Sequence, residues 1–138
     1  MDMSMYDLTG KVAIITGSTR GIGNAIAKLM ADHGAAVVIT GRKQEACDKV
    51  AEEIKAAGGK ALGVATDVTS AEARQNLVNK TVETFGHIDI LVNNAGTGGQ
   101  PRKMVDMDED YFDHYVQADY KALYFMSQAV ACQMKAQG

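Results

Sequence analysis

The chain has 138 residues, 46% of them hydrophobic, and a formal net charge of −3. This length can bury one hydrophobic core but leaves no room for a separate substrate domain, so the sequence predicts a single domain over residues 1–138. The 14 Lys and Arg residues are outnumbered by 17 Asp and Glu residues and are scattered along the chain. This charge pattern argues against general nucleic-acid binding.

Cysteine usage and apolar runs exclude further classes of protein. Cys47 and Cys132 lie far apart in predicted helices with no metal-ligand spacing, so we expect two reduced thiols in or near the core and no metal site. Residues 1–10 carry Asp2 and Asp7 and lack an apolar targeting segment, and no later apolar run reaches the about 18 residues of a membrane span. We therefore expect a soluble, cytoplasmic protein that does not contact membranes.

Short apolar runs alternate with amphipathic segments along the chain. Strands are predicted at residues 12–16, 36–40, 60–64 and 88–92. Helices are predicted at residues 22–33, 43–57, 71–85 and 108–134. Thr69 or Ser70 is expected to cap the third helix and Gly86 to end it, and residues 93–101 are expected to form the most mobile loop. The alternation predicts βαβ units, and therefore an α/β fold with a parallel sheet and right-handed crossovers.

Residues 16–23, with the sequence TGSTRGIG, lie between the first strand and the first helix. Gly17 permits a tight turn, Gly21 lets the backbone approach a phosphate, and Gly23 lets the helix pack closely on the strand. Free backbone N–H groups and a positive helix end would suit a dinucleotide pyrophosphate. The other candidate contacts of this turn are Ser18, Thr19, Arg20 and Ile22.

The T-G-x-x-x-G-x-G spacing of this turn resembles that of the short-chain dehydrogenase/reductase family. Asp67-Val68 follows the third strand, and residues 93–96, Asn-Asn-Ala-Gly, are similar to the family's NNAG motif after the fourth. The resemblance covers residues 8–138 and implies a Rossmann-type, doubly wound parallel sheet. Only its first four strands, in the order 3-2-1-4, are expected in this chain, as if truncated after the fourth βα unit.

The resemblance also implies roles for the residues of these motifs. Asp67 and Val68 would contact adenine, and Asn93 would mainly tie strands together. Three residues would line the ribose and nicotinamide, namely Asn94, Ala95 and Gly96. The alternative for each motif is a plain cap or turn.

The residues after the second strand bear on the choice of cofactor. No carboxylate follows that strand before Glu45, whereas Arg42 offers a planar fork to a phosphate and Lys43 adds charge. Arg20, inside the glycine turn, is placed to reach the same phosphate. By the resemblance we expect NADP (NADPH) rather than NAD. The alternative is that Arg42 and Lys43 are a solvated pair that opens a helix.

The last predicted helix carries an unexpected aspartate. Its apolar face is formed by Phe112, Tyr115, Val116, Ala122, Leu123, Met126 and Val130. Asp119 falls within this face, at the position where the resembled family has an asparagine that supports a proton relay to the catalytic lysine. Aspartate keeps the acceptor oxygens but loses the amide donor, and a carboxylate buried there would need a cation or another partner. A functional variant, an inactive homologue and a structural substitution remain open.

The family's catalytic Ser, Tyr and Lys are not found in this chain. No lysine has a tyrosine four positions before it, and we expect these residues beyond residue 138. The fourth strand would then be an apolar sheet edge. We therefore expect a complementary carboxy-terminal half, or a truncated product that only binds cofactor, and a homo-oligomer formed through residues 108–134 if the whole fold is present.

The function implied by the resemblance is hydride transfer between NADPH and a small alcohol or carbonyl substrate. Residues 1–138 would be the NADP-binding, amino-terminal half of such an enzyme. The alternatives are a noncatalytic dinucleotide-binding or regulatory module and a purely structural βα domain. The substrate itself is left open.

Overall fold

The computed structural model describes residues 3–138, so the part of the amino-terminal expectation that concerns Asp2 lies outside the described residues. Strands and helices alternate as β1 (Val12–Ile15), α1 (Gly21–Asp32), β2 (Ala36–Gly41), α2 (Gln44–Ala56), β3 (Lys60–Ala65), α3 (Ala71–Phe85) and β4 (Ile90–Val92). The remainder is α4 (Glu109–Tyr115), a π-helical turn (Val116–Lys121) and α5 (Ala122–Gln137). These last three segments are contiguous, as the prediction of one long helix requires. Short 3-10 turns occupy Ser4–Tyr6 and Met104–Asp106.

The strands form one parallel sheet in the order β3-β2-β1-β4, which confirms the predicted Rossmann-type topology. In the register of the sheet, Ala13 of β1 lies beside Val37 of β2 and Ile90 of β4. Because all strands run in the same direction, the loops that follow them meet at one edge. The predicted site residues therefore lie along this carboxyl edge.

Both faces of the sheet are covered by helices. Successive strand residues point to opposite faces. Ile15 packs in the cluster beneath α1 and α2, and Ile14 packs in the cluster beneath α3 and α5. This arrangement explains why every residue of β1 is buried and why the strand sequence is continuously apolar.

Local signals set the ends of α3. The hydroxyl of Ser70 accepts a hydrogen bond from the Ala73 N–H, at 3.2 Å, as an N-cap does. Gly86 ends the helix with a φ of 88°, a conformation that favours glycine. Both predictions for this helix are confirmed.

Two helices bury a different set of residues from the apolar positions in their sequences. In α1 the apolar residues at helical spacing are Ile22, Ala25, Ile26, Leu29 and Met30, of which only Ile26 and Met30 pack against the core. Ile22 and Leu29 of α1 are 75% and 59% exposed, while the small residues Gly23, Ala27 and Ala31 face the core. The reason is that α1 starts from a tight turn, and only small side chains permit its close approach to the sheet. In the long helix, the exposed members of the predicted face are Phe112, Val116 and Leu123.

The two thiols are placed differently from each other. Cys47 is fully buried between α2 and the sheet, as expected, but Cys132 is exposed on α5. The prediction for Cys132 was wrong because it lies on the side of α5 opposite Met126 and Val130, which face the core. Among the described residues, no helix is long and apolar enough to cross a membrane.

Candidate functional site

The turn between β1 and α1 presents a surface of backbone N–H groups. Gly17 and Gly21 adopt left-handed φ angles of 64° and 60°, and a Cβ on Gly21 would meet nothing within 4 Å. Arg20, the N-cap of α1, makes no side-chain cap hydrogen bond. The first N–H groups of the helix therefore have no cap and can bind an anion.

Ser18 lies beneath this surface rather than on it. Its hydroxyl is fully buried, donates to the Ile15 carbonyl at 2.7 Å and accepts from the Thr40 N–H at 3.0 Å. The Ser18 N–H also donates to the Thr40 carbonyl. Ser18 thus joins the turn to the end of β2, and its hydroxyl is already engaged.

Gly23 and Asn94 join the turn to the end of β4. The Asn94 side-chain amide donates to the carbonyls of Thr16 and Gly17, at 3.0 Å each. A Cβ on Gly23 would lie 2.5 Å from both the Gly17 carbonyl oxygen and Asn94 Nδ2. This confirms the close packing predicted for Gly23.

Asn93 has a different place from the predicted one. Its amide donates to the Ser127 hydroxyl on α5, at 2.9 Å, so Asn94 and not Asn93 ties the strand ends together. Adjacent side chains at the end of a strand point to opposite faces, which explains this exchange of roles. Thr16 was not among the predicted site residues, yet its hydroxyl oxygen accepts hydrogen bonds from the N–H groups of Asn94 and Ala95.

Three basic residues are next or close in sequence to the contact between the turn and β2. Thr19 packs over Gly41, since a Cβ on Gly41 would lie 2.8 Å from Thr19 Cγ2. Arg20 follows Thr19 and Arg42 follows Gly41 in the sequence, so the backbones of both arginines are next to this contact. Within residues 3–138, neither they nor Lys43 takes part in an ion pair, and all three are exposed.

The loop after β3 carries Asp67 and Val68. Asp67 Oδ1 accepts from the Thr69 N–H at 3.0 Å and from the Thr69 hydroxyl at 2.6 Å. These bonds, helped by the positive charges of Arg42 and Arg74, hold the pKa of Asp67 below its usual value. The Asp67 carboxylate therefore stabilises a turn, which was the alternative interpretation of this motif. Its Oδ2 takes part in neither hydrogen bond.

The loop after β3 and the Asn-Asn-Ala-Gly segment after β4 meet at a small cleft under the long helix. The cleft is lined by Thr16, Val68, Asn93, Ala95, Ala118, Ala122, Leu123 and Met126. A polar atom at the same sheet edge, the Thr40 hydroxyl oxygen, is buried without a hydrogen-bond partner. An open cavity of about 600 Å3 lies beyond the cleft, between residues 97–102 and the start of the long helix.

Asp119 is exposed on the π-helical turn and is paired with Thr97. Its Oδ1 accepts from the Thr97 N–H at 2.8 Å, and its Oδ2 accepts from the Thr97 hydroxyl at 3.0 Å. The expectation of a carboxylate within a buried apolar face was wrong, because this part of the helix borders a loop and not the core. A Cβ on Gly96 would lie 3.4 Å from Asp119 Oδ1, so the pair also borders the Asn-Asn-Ala-Gly segment.

These features fit the parts of a nicotinamide dinucleotide. An uncapped helix end suits a pyrophosphate, unpaired basic side chains suit a further phosphate, and a free carboxylate oxygen suits an adenine amino group. No group of three or more His, Cys, Asp or Glu residues in the described part of the chain could hold a metal ion.

Comparison with known proteins agrees with this geometry. The sequence profile of the short chain dehydrogenases matches residues 11–138. The chain belongs to this family. It is 40% identical over 122 residues to tropinone reductase-like 3 of Erythroxylum coca, covering 88% of this chain and 47% of that protein. It is also 40% identical over 131 residues to dehydrogenase/reductase SDR family member 4 of Oryctolagus cuniculus, covering 95% of this chain and 50% of that protein.

Solved structures of the same family superpose closely on this chain. A hydroxysteroid dehydrogenase from Escherichia coli gives a TM-score of 0.92 at 36% identity, covering 99% of this chain and 57% of the other. A short-chain type dehydrogenase/reductase from Mycobacterium marinum gives 0.93 at 35% identity, with coverage of 99% and 56%. The chain spans about half the length of the relatives it matches. It thus corresponds to the amino-terminal half of a short-chain dehydrogenase/reductase fold.

Proposed function

We propose that this chain is the NADP-binding half of an oxidoreductase that transfers a hydride between the nicotinamide ring and a small alcohol or carbonyl substrate. The observation that carries the choice of NADP is that Arg20 and Arg42 are the sequence neighbours of Thr19 and Gly41, whose contact joins the glycine turn to the end of β2. Neither guanidinium is committed to an ion pair among the described residues. A 2′-phosphate placed there would receive two charged hydrogen-bond donors.

The remaining motif residues bind and orient the dinucleotide in this proposal. The N–H groups of Gly21, Ile22 and Gly23 would hold the pyrophosphate, Gly17 and Thr19 would line the turn beside it, and Ser18 supports the turn from beneath. Lys43 adds charge near the 2′-phosphate. Val68 would pack against the adenine ring, and Asp67 Oδ2 would accept a hydrogen bond from its amino group. The ribose and nicotinamide end lies along Asn93, Asn94, Ala95 and Gly96. The bound cofactor supplies the hydride.

The rest of the enzyme is part of the same proposal. The catalytic Ser, Tyr and Lys belong to a complementary carboxy-terminal half, and Asp119 takes the position of the family's helix asparagine. We further propose a cytoplasmic enzyme that forms a homo-oligomer through the long helix. Its exposed Phe112, Tyr120 and Tyr124 support such a contact.

The choice of cofactor is tested by titrating NADPH and NADH into the chain and following the nicotinamide fluorescence. We expect NADPH to bind at least about tenfold more tightly, because a charged hydrogen bond contributes about 1.5 to 3 kcal/mol. Arg42→Gln should remove most of this preference and leave NADH binding unchanged. Lys135→Gln, an exposed change on α5, is the matched control. Equal affinity of the wild-type chain for both cofactors would contradict the proposal.

The second candidate function is a noncatalytic dinucleotide-binding module. It is favoured by Asp119, because an aspartate has no amide donor for a relay and both of its carboxylate oxygens already accept hydrogen bonds from Thr97. Saturable NADPH binding without carbonyl reduction, measured with the complementary half present, would support this candidate. Turnover in that assembly would exclude it.

A further inference from the structure

Arg74 of α3 is the one charged residue that is buried among residues 3–138, with an exposed fraction of 8%. Burying a guanidinium group is costly unless other groups replace its hydration. None of the ion pairs formed by the described residues includes Arg74. Groups other than a carboxylate must therefore replace the water around this cation.

Two uncharged groups hold the guanidinium of Arg74. Its Nη1 donates to the Val68 carbonyl oxygen at 2.8 Å. Its central carbon lies 5.6 Å from the centre of the Phe125 ring on α5, within cation–π distance. Arg74 thus connects the loop after β3 with two helices that lie under the same face of the sheet.

Apart from the contact with Arg74, the loop after β3 is held by hydrogen bonds within the loop and by one to the end of β2. Thr69 donates to Asp67 Oδ1, and the Thr66 N–H donates to the Gly41 carbonyl at the end of β2. Neither of these contacts involves the Val68 carbonyl oxygen, which accepts only from Arg74 among the hydrogen bonds of the described residues. Arg74 fixes that group, and its positive charge also favours the ionised form of Asp67.

We propose that Arg74 is a positioning residue for the adenine end of the dinucleotide, acting through the Val68 carbonyl to hold Asp67 and Val68 in their binding geometry. This inference rests on the proposed function, because it assumes that adenine lies against this loop. Arg74 itself does not touch the cofactor. Its effect should therefore be the same for every adenine nucleotide, whatever phosphates the nucleotide carries.

The first test needs no ligand and measures amide hydrogen exchange in the chain. Arg74→Met keeps an unbranched side chain but removes the charge and the donors, and Arg74→Lys keeps the charge and a donor. We expect exchange at Val68 and Thr69 to become about tenfold faster in Arg74→Met, and less so in Arg74→Lys, because a charged hydrogen bond is lost. Gln75→Met, an exposed neighbour on the same helix, is the matched control.

The second test measures the binding of 5′-AMP and of 2′,5′-ADP to the same variants. Arg74→Met should weaken both nucleotides by about the same factor, of the order of tenfold, with partial rescue by Arg74→Lys. Arg42→Gln should weaken only 2′,5′-ADP. Unchanged loop exchange and unchanged nucleotide affinity in Arg74→Met would overturn the inference. If the wild-type chain binds neither nucleotide, the inference fails together with the proposed cofactor site.

A purely structural role of Arg74 predicts a different result. Exchange would then rise throughout α3 and α5, and the free energy of unfolding would fall, with no preference for residues 67–69. Urea unfolding of each variant measures this contribution directly. Acceleration spread evenly over both helices would also overturn the inference.

Discussion

Two aspartates of this chain have the same local environment. In each, the N–H and the hydroxyl of the threonine two residues later donate to Oδ1, from Thr9 to Asp7 and from Thr69 to Asp67. The hydrogen bonds favour the ionised carboxylate and hold the pKa of both aspartates below the usual value. Only the second pair lies at the sheet edge that carries the candidate site. Asp67 thus stabilises a turn at the place where the proposed function puts the adenine of the cofactor.

The pKa of Asp67 should depend on Thr69. Its folded-state pKa is lowered, so its contribution to stability is fully present above the unfolded pKa of about 3.9 and is lost as pH falls through the folded pKa. Thr69→Val removes the hydroxyl donor and should raise the pKa of Asp67 toward the usual value, as measured by carboxyl NMR titration. Thr9→Val should raise the pKa of Asp7 instead. An unchanged Asp67 pKa in Thr69→Val would contradict this account.

At the scale of elements, the β1–α1 turn depends on contacts from two neighbouring strands. Ser18 joins it to β2, and Asn94 joins it to the segment after β4. Gly23 supplies the space in which these contacts form. The turn is therefore held in place before any ligand binds, which reduces the ordering cost of binding.

A methyl group at Gly23 should disrupt this arrangement. Gly23→Ala places a Cβ against the Gly17 carbonyl and the Asn94 amide, and we expect it to destabilise the chain by about 1 to 3 kcal/mol, as overpacking does. Urea unfolding measures this loss. Ala25→Ser, on the exposed side of α1, should change stability by less than about 0.5 kcal/mol. Equal stabilities of the two variants would show that the turn can move away without cost.

The loop after the Asn-Asn-Ala-Gly segment lies along the long helix at several points. Thr97 bonds to Asp119, the Tyr111 hydroxyl donates to the Gln100 carbonyl, and Arg102 pairs with Asp108 at 3.1 Å. The sequence predicts high mobility for residues 93–101 from their turn-forming composition alone. Contacts of this kind restrict the motion of a loop whatever its composition. The mobility of residues 93–101 therefore stays a prediction.

At the scale of the whole molecule, helices cover both faces of the sheet, and β3 and β4 form its two edges. β4 is an edge strand among the described residues, and all three of its residues are only partly buried. The long helix beside it exposes Phe112, Tyr120 and Tyr124. An apolar edge and an aromatic helix surface are both typical sites of association.

The isolated 138-residue chain should therefore associate as its concentration rises. Sedimentation velocity over a range of concentrations measures this directly. If the helix surface is responsible, the double variant Tyr120→Lys and Tyr124→Lys should remain monomeric, since charged side chains oppose burial. Association of the double variant at the wild-type level would assign the contact to the edge of β4. A monomeric wild-type chain at every concentration would contradict the prediction.

The sequence by itself determined the order and type of the elements. β-branched runs such as residues 36–40, the cap at Ser70 and the stop at Gly86 act over a few residues, so they can be recognised without the fold. The glycine turn was located in the same way, whereas the segments at Asp67 and Asn93 were located by their resemblance to motifs of the short-chain dehydrogenase/reductase family. Their common sheet edge followed from the parallel topology alone.

The tertiary structure decided which side chains of these motifs face the site. Ser18 turns inward, Asn94 replaces Asn93 as the link between strands, and Arg74 reaches the loop after β3. The fully buried residues of α1 are small ones, and Ile22 is exposed. These outcomes depend on contacts between segments up to 79 positions apart, as from Ala95 to Thr16. Local spacing carries no information about such approaches, because they are set by the packing of helices on both faces of the sheet.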